Sequence, residues 1–121
     1  MKVVVRESPI HGRGVFAARR IEAGDVVIEG CRIRLTDDEV RSLPPEERPY
    51  VSVVDGRSIL MQPPSRFVNH SCNPNARGSE YCDVAVRAIE AGDEVTVDYA
   101  DEVSGLTLEC NCKAANCRGR I

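Results

Sequence analysis

The feature that most constrains this 121-residue chain is a group of three cysteines near its end, spaced Cys110-x-Cys112-x4-Cys117. Cysteines separated by one residue rarely meet disulfide geometry, because their side chains diverge. Loop thiolates readily bind Zn²⁺ as a tetrahedral set of four. The spacing therefore favours a structural zinc site over unpaired thiols. Three other cysteines are candidates for the fourth ligand: Cys31, Cys72 and Cys82. Cys72 is favoured because it lies in a polar loop.

That interpretation depends on a reducing compartment, where disulfides are rare. The apolar stretch within residues 1–7 is too short for a signal peptide, and charged residues follow it too early. No apolar run approaches the ~20 residues of a membrane span. We therefore expect a cytoplasmic protein if the source is bacterial or viral, and a nuclear one if the host is eukaryotic. We also expect no membrane partner. The net charge of -3 lacks the basic excess of a nucleic-acid binder, so no direct nucleic-acid contact is expected.

Short apolar runs and frequent turns predict a mostly β fold. Val3–Arg6 reads as a strand, and Asp55-Gly56 predicts a hairpin turn between strands at 50–54 and 57–61. Thr36 with Glu39 forms the pattern of a capping box, which predicts one short helix ending before Pro44. A hydrophobic content of 42% is enough for the core of a single domain.

One turn pattern occurs twice, as Ile-Glu-Ala-Gly-Asp at 21–25 and again at 89–93. Each copy lies between strand-like residues and predicts a turn. A solenoid needs several copies at a short period. We therefore interpret the pair as the same turn used twice.

Three further patterns offer candidate functional residues, each with a structural alternative. The glycines of His11-Gly12-Arg13-Gly14 allow a ligand to approach the backbone closely. In the segment 66–75, Asn69 and His70 offer polar groups to a ligand, or else satisfy local backbone groups. Tyr99, which ends Thr96-Val97-Asp98-Tyr99, reads either as a core residue or as a phenol placed at the mouth of a site.

The order of these patterns resembles the SET domain family of protein lysine methyltransferases. The resemblance rests on His11-Gly12-Arg13-Gly14, the segment Arg66-Phe67-Val68-Asn69-His70-Ser71-Cys72, the segment ending at Tyr99, and Cys110-x-Cys112-x4-Cys117-Arg118-Gly119. The last segment is similar to the family's post-SET zinc motif. The family implies a mostly β fold of several small curved sheets, with one or two short helices and a C-terminal knot-like substructure. It divides the compact unit into a SET domain at 1–105 and a post-SET segment at 106–121.

The resemblance also implies site residues. Tyr99 and Tyr50 match catalytic positions, and Cys72 matches the distant zinc ligand that completes Cys110, Cys112 and Cys117. The residues implied to bind S-adenosylmethionine are His11, Gly12, Arg13, Gly14, Tyr50, Arg66, Phe67, Asn69, His70 and Leu108.

The expected activity is methyl transfer from S-adenosylmethionine to a protein lysine, in a histone or another basic protein. The alternative is a catalytically weak or inactive zinc-stabilised module that binds a peptide. One departure from the family concerns Val97, because many relatives carry Phe or Tyr there to limit the number of methyl groups added. The chain resembles a minimal SET domain of the bacterial or viral type.

Overall fold

The computed structural model describes residues 2–79, 82–99, 110, 112 and 114–120. Within them the chain forms ten short strands, one α-helix and two 3-10 turns, so the predicted mostly β class is confirmed. The strands are β1 Val3–Glu7, β2 Arg13–Ala17, β3 Val26–Glu29, β4 Arg32–Leu35, β5 Val51–Val54, β6 Arg57–Met61, β7 Asn69–His70, β8 Ala76–Gly78, β9 Cys82–Ala85 and β10 Glu94–Val97. The helix α1 spans Asp37–Arg41, and the 3-10 turns span Arg48–Tyr50 and Ser65–Phe67.

The strands form three small sheets, in the orders β1-β2-β10-β7, β3-β9-β8 and β4-β6-β5. All pairings are antiparallel except that of β7 with β10, which runs parallel and sets Asn69 beside Thr96 and His70 beside Val97. The apolar core lies between the first two sheets, where Val15, Cys31, Ile89 and Val95 are fully buried. The parallel pairing of β7 with β10 places the segment 66–70 next to the chain that leads into Tyr99. This pairing brings together residues of the candidate site.

Local signals place several elements where the sequence predicts them. The β5–β6 hairpin turns at Asp55-Gly56, both with positive φ. Thr36 caps α1 and Glu39 caps Thr36 in return, as a capping box requires. The first strand is confirmed and extends to Glu7. Tyr50 belongs to a 3-10 turn rather than to the predicted strand, because Pro49 withholds an N–H from a strand ladder.

The two Ile-Glu-Ala-Gly-Asp turns are adjacent in space. Ile21 and Ile89 exchange both of their backbone hydrogen bonds at 2.8 Å. Gly24 and Gly92 adopt φ of 88° and 90°, and each glycine N–H donates to the alanine that ends the strand before the other copy, Ala85 of β9 or Ala17 of β2. The turns therefore form a two-fold pair. The strand that follows each turn pairs with the strand that precedes the other turn: β3 pairs with β9, and β10 pairs with β2.

Two expectations reach beyond the described residues. The boundary between residues 105 and 106 lies there, and the knot-like crossing depends on residues 100–109, which lie there as well. Among the described residues, no helix is both long and apolar enough to cross a bilayer.

Candidate active site

Two cavities meet at one wall made by three side chains, Tyr50, Arg66 and Tyr99. The larger cavity has a volume of about 800 Å³, and its other lining residues are Ile10, His11, Gly12, Arg13, Phe67, Asn69, His70 and Cys110. The narrower cavity has a volume of about 360 Å³, and its other lining residues are Arg32, Pro49, Val51, Ser52, Val54, Ile59, Met61, Ser65, Val68, Asp83 and Val97. Most of the predicted site residues thus line the larger cavity, and the narrower cavity is its neighbour across the three shared residues.

The glycine-rich loop is held against the larger cavity by Asn69. Its side-chain amide nitrogen donates to the carbonyl oxygens of His11 at 3.0 Å and of Arg13 at 2.9 Å. Between them Gly12 has φ of 44°, and no atom lies within 4 Å of where a Cβ would be. The amide nitrogen of Asn69 therefore satisfies backbone groups of a distant loop rather than local ones, and the loop that it fixes lines the cavity.

The Glu94 carboxylate helps to hold Asn69 in place. It accepts hydrogen bonds from Ser8 Oγ at 2.8 Å and from Asn69 Nδ2 at 2.9 Å. A Cβ on Gly14 would collide with the Glu94 carboxylate, so Gly14 is needed for close packing. The family resemblance implies that Gly14 lies along the cofactor, whereas the structure places it against Glu94 and outside the lining of the larger cavity. No sequence pattern indicates this role of Glu94.

Tyr99 is fixed at both its backbone and its hydroxyl. Its backbone N–H donates to His70 Nδ1 at 3.0 Å, and its hydroxyl donates to the Val68 carbonyl oxygen at 2.6 Å. Burial, with a smaller effect from the charge of Glu94, raises the pKa of Tyr99 to about 12. The phenol is therefore protonated at neutral pH, and because its proton is directed to Val68, its oxygen is left to accept a hydrogen bond.

His70 links Tyr99 to the cysteine cluster. Because Nδ1 accepts from Tyr99, the neutral ring carries its proton on Nε2, which lies 3.4 Å from Cys72 Sγ. Burial lowers the pKa of His70, and Arg118 adds to this effect while Asp98 opposes it. The neutral His70 ring thus lies between Cys72 and Tyr99, and it holds the backbone N–H of Tyr99 in place.

Tyr50 is held by an aromatic neighbour and a cation. Its ring meets Phe67 edge-on with centroids 6.5 Å apart, and the Arg66 guanidinium carbon lies 4.1 Å above its centroid. Arg66 donates to both oxygens of Glu47, at 2.6 and 3.3 Å, and to the Met61 carbonyl oxygen. No sequence pattern indicates Glu47 as a site residue, because its setting in Pro-Pro-Glu-Glu-Arg-Pro is typical of an exposed turn.

The narrower cavity has mainly aliphatic walls, including Val51, Val68 and Val97. Val97 is 6% exposed and contributes less bulk than an aromatic residue would. A polar group at this wall is Asp83, whose carboxylate accepts from Ser65 Oγ at 2.5 Å and lies 3.8 Å from Arg32. The walls suit a long aliphatic side chain.

The four predicted zinc ligands lie together. The sulfurs of Cys72, Cys110, Cys112 and Cys117 are all within 4.8 Å of one another, and those of Cys72 and Cys110 are 3.7 Å apart. Four sulfurs bound to one Zn²⁺ at ~2.3 Å would be ~3.8 Å apart, so the spacing fits.

Backbone N–H groups also face these sulfurs. The N–H groups of Cys72, Arg118 and Gly119 point to Cys112, Cys72 and Cys117 respectively. Although partial burial opposes it, hydrogen bonding from the Cys72 backbone lowers the pKa of Cys112 to about 6. Burial raises the pKa of the neighbouring Cys110 to about 12, so thiolate character belongs to Cys112, and the cluster as a whole has the geometry of a metal site.

Arg118 connects the cluster to the strand end that carries Tyr99. Its Nε lies 3.2 Å from Cys72 Sγ, and its terminal nitrogen donates to both oxygens of Asp98 at 2.8 and 2.9 Å. Of the remaining predicted cofactor residues, His11, Arg13 and Phe67 line the larger cavity. Leu108 lies outside the described residues.

Comparison with known proteins gives a consistent result. The SET domain model matches residues 12–100. Histone-lysine N-methyltransferase 2B of Homo sapiens is 33% identical over 96% of this chain, and the trithorax histone-lysine N-methyltransferase of Drosophila virilis is 34% identical over the same share. The chain covers only 5% and 4% of those two proteins. A crystal structure of a candidate histone methyltransferase from Plasmodium falciparum has the same fold, with a TM-score of 0.66 at 20% identity, over 81% of this chain and 92% of that one.

Proposed function

Because the chain belongs to the SET domain family, we propose that it transfers a methyl group from S-adenosylmethionine to the ε-amine of a protein lysine. The observation that carries the proposal is the wall of Tyr50, Arg66 and Tyr99 that the two cavities share. A methyl donor in one cavity and an amine in the other would meet at this wall. Much of the catalysis would then come from alignment of the two reacting groups.

The larger cavity suits the cofactor. The loop carbonyls fixed by Asn69, the open space at Gly12 and the face of Phe67 would hold its polar and aromatic parts. When bound, S-adenosylmethionine supplies a methyl group made electrophilic by a sulfonium charge. The contribution of the chain is to orient that group toward the shared wall.

The narrower cavity suits the substrate lysine. A lysine ammonium has a pKa of ~10.4 and must lose a proton before its nitrogen has a lone pair. Aliphatic walls lower that pKa by desolvation. Tyr99 remains protonated and donates to Val68, so its oxygen accepts an N–H of the amine and orients the lone pair. Tyr99 is thus an orienting group and not the base.

We further propose that the cysteine cluster binds one structural Zn²⁺, since four sulfur ligands leave no open position for catalysis. Elemental analysis should find one zinc per wild-type chain. Cys72→Ser should lower that content, while Cys82→Ser, at a cysteine outside the cluster, should leave it unchanged. A zinc-free wild-type protein with full stability would contradict this proposal.

The proposed substrate class is a basic protein, such as a histone. Its support is the naming of the relatives as histone-lysine methyltransferases, and the net charge of -3 is compatible with a cationic partner. The proposed compartment is reducing, either cytoplasmic or nuclear. This is supported by the six cysteines, all of which are free.

The test is transfer of label from S-adenosylmethionine to core histones, with lysine-acetylated histones as the matched control. Label that requires free lysines supports the proposal. Cofactor binding without transfer to any basic protein would favour the alternative, a peptide-binding module. Absence of cofactor binding by calorimetry at millimolar concentration would overturn the proposal.

A further inference from the structure

The shared wall carries a buried positive charge at a place where both expected ligands are cations. The Arg66 side chain is only 8% exposed and lines both cavities. Under the proposed function, a sulfonium and an amine derived from an ammonium come together at this wall. A buried like charge is poorly screened and disfavours a cationic ligand. Arg66 would therefore oppose binding unless another group offset its charge.

Glu47 is placed to offset it. Its two carboxylate oxygens each accept a hydrogen bond from a terminal nitrogen of Arg66, in a fork geometry. Hydrogen bonding from Arg66 lowers the pKa of Glu47, so the carboxylate is ionised at neutral pH. The Glu47 side chain is 32% exposed and does not line either cavity.

The other arginine that lines the larger cavity differs in its environment. Arg13 is exposed on the glycine-rich loop, where solvent screens its charge. Arg66 instead lies against the Tyr50 ring and the Met61 carbonyl. Solvent can therefore screen the charge of Arg13, whereas neutralisation of the buried Arg66 charge depends on a protein carboxylate.

We propose that Glu47 is a positioning residue that neutralises Arg66 at the shared wall and thereby gives the site its affinity for a positively charged cofactor. The inference rests on the proposed function. It assigns Glu47 an electrostatic role that acts through Arg66. Loss of the Glu47 charge should weaken a sulfonium ligand more than a neutral ligand of nearly the same shape.

The experiment compares S-adenosylmethionine with S-adenosylhomocysteine, the neutral thioether that lacks the methyl group, by calorimetry. Glu47→Gln keeps the size of the side chain and an oxygen for Arg66, and removes the charge. It should weaken S-adenosylmethionine roughly threefold to tenfold more than S-adenosylhomocysteine. Glu46→Gln, the same charge change at the preceding exposed residue, should leave both affinities unchanged.

A purely structural role for Glu47 predicts that both ligands weaken by the same factor, and that result would overturn the inference. The double variant Glu47→Gln/Arg66→Gln removes both charges and should return the ratio of the two affinities to the wild-type value. A ratio that stays displaced would also overturn the inference. If the wild-type chain binds neither ligand, the proposed function fails as well, whereas equal weakening in Glu47→Gln refutes the inference alone.

Discussion

The hydroxyl of Tyr99 donates a hydrogen bond to the backbone carbonyl of Val68 across 2.6 Å. This contact commits the phenol proton to the protein and leaves the oxygen free to accept from a substrate amine. Tyr99→Phe removes that oxygen and changes little volume. We expect turnover to fall by about 10²-fold, close to 3 kcal/mol in the transition state.

Cofactor affinity and zinc content of Tyr99→Phe should match the wild type, because the backbone bond from Tyr99 to His70 does not involve the hydroxyl. Methyl transfer at saturating cofactor is the measurement. Equal turnover in the two proteins would remove Tyr99 from the reaction.

The raised pKa of Tyr99 also predicts a pH dependence of stability. In the unfolded chain a tyrosine titrates at ~10, whereas burial raises the pKa of Tyr99 to about 12. The folded state therefore holds this proton more tightly. The associated stability, about 3 kcal/mol, is fully present below pH ~10 and is lost as the pH rises toward 12.

Urea unfolding of wild type and Tyr99→Phe from pH 8 to 11 isolates this contribution, because other titrating groups affect both proteins alike. The stability advantage of the wild type should shrink above pH 10. A constant difference across the range would contradict the burial of the phenol.

Asn69 anchors the glycine-rich loop through the carbonyl oxygens of His11 and Arg13. Asn69→Ala removes these bonds and leaves the Glu94 carboxylate with one partner fewer. Cofactor affinity should fall by an amount equivalent to roughly 1–3 kcal/mol, the typical effect of an unsatisfied buried group. Calorimetry measures this loss. Asn73→Ala, an exposed change in the loop that follows β7, should bind the cofactor as the wild type does, and equal affinity in both variants would argue against the anchoring role.

Arg118 bridges Cys72 and Asp98 and should stabilise the metal cluster without being a ligand. Arg118→Ala leaves all four cysteines in place, yet zinc affinity should fall about tenfold, as is typical when a partner of a metal ligand is lost. Competition with a chromophoric chelator measures this affinity. Arg120→Ala removes the same charge from an exposed position nearby and should have no effect. Unchanged affinity in Arg118→Ala would show that the bridge does not support the cluster.

Local signals in the sequence predict the parts of the fold that depend on neighbouring residues. The turn at Asp55-Gly56 and the box of Thr36 with Glu39 form among residues a few positions apart, so their patterns are visible in the sequence. The cysteine cluster is also predictable, because three of its four members lie close together in sequence and thiol chemistry is restrictive.

Contacts between distant residues were not predictable in the same way. Glu94 meets Ser8, and Glu47 meets Arg66, although none of these residues carries a pattern that indicates its partner. Ligand contacts by Asn69 and Gly14 stay a prediction, and the structure adds packing roles that no pattern indicates: Asn69 holds the glycine-rich loop, and Gly14 leaves room for the Glu94 carboxylate. Such roles depend on three-dimensional packing, which a single sequence does not specify.

The two-fold pairing of the Ile21 and Ile89 turns has a consequence for synthesis. The hairpin of β1 and β2 is made early, but its sheet is completed only when β10 pairs with β2, through partners such as Phe16 and Glu94. Pairing across such a long stretch of chain is slow, because a large loop must close first. During translation the early hairpin therefore waits with an unpaired edge, which is an aggregation hazard for a nascent chain. The pairing of β10 with β2 stabilises the folded domain, but it can form only after nearly the whole domain has been synthesised. We therefore expect the emerging chain to depend on chaperone protection until β10 has left the ribosome.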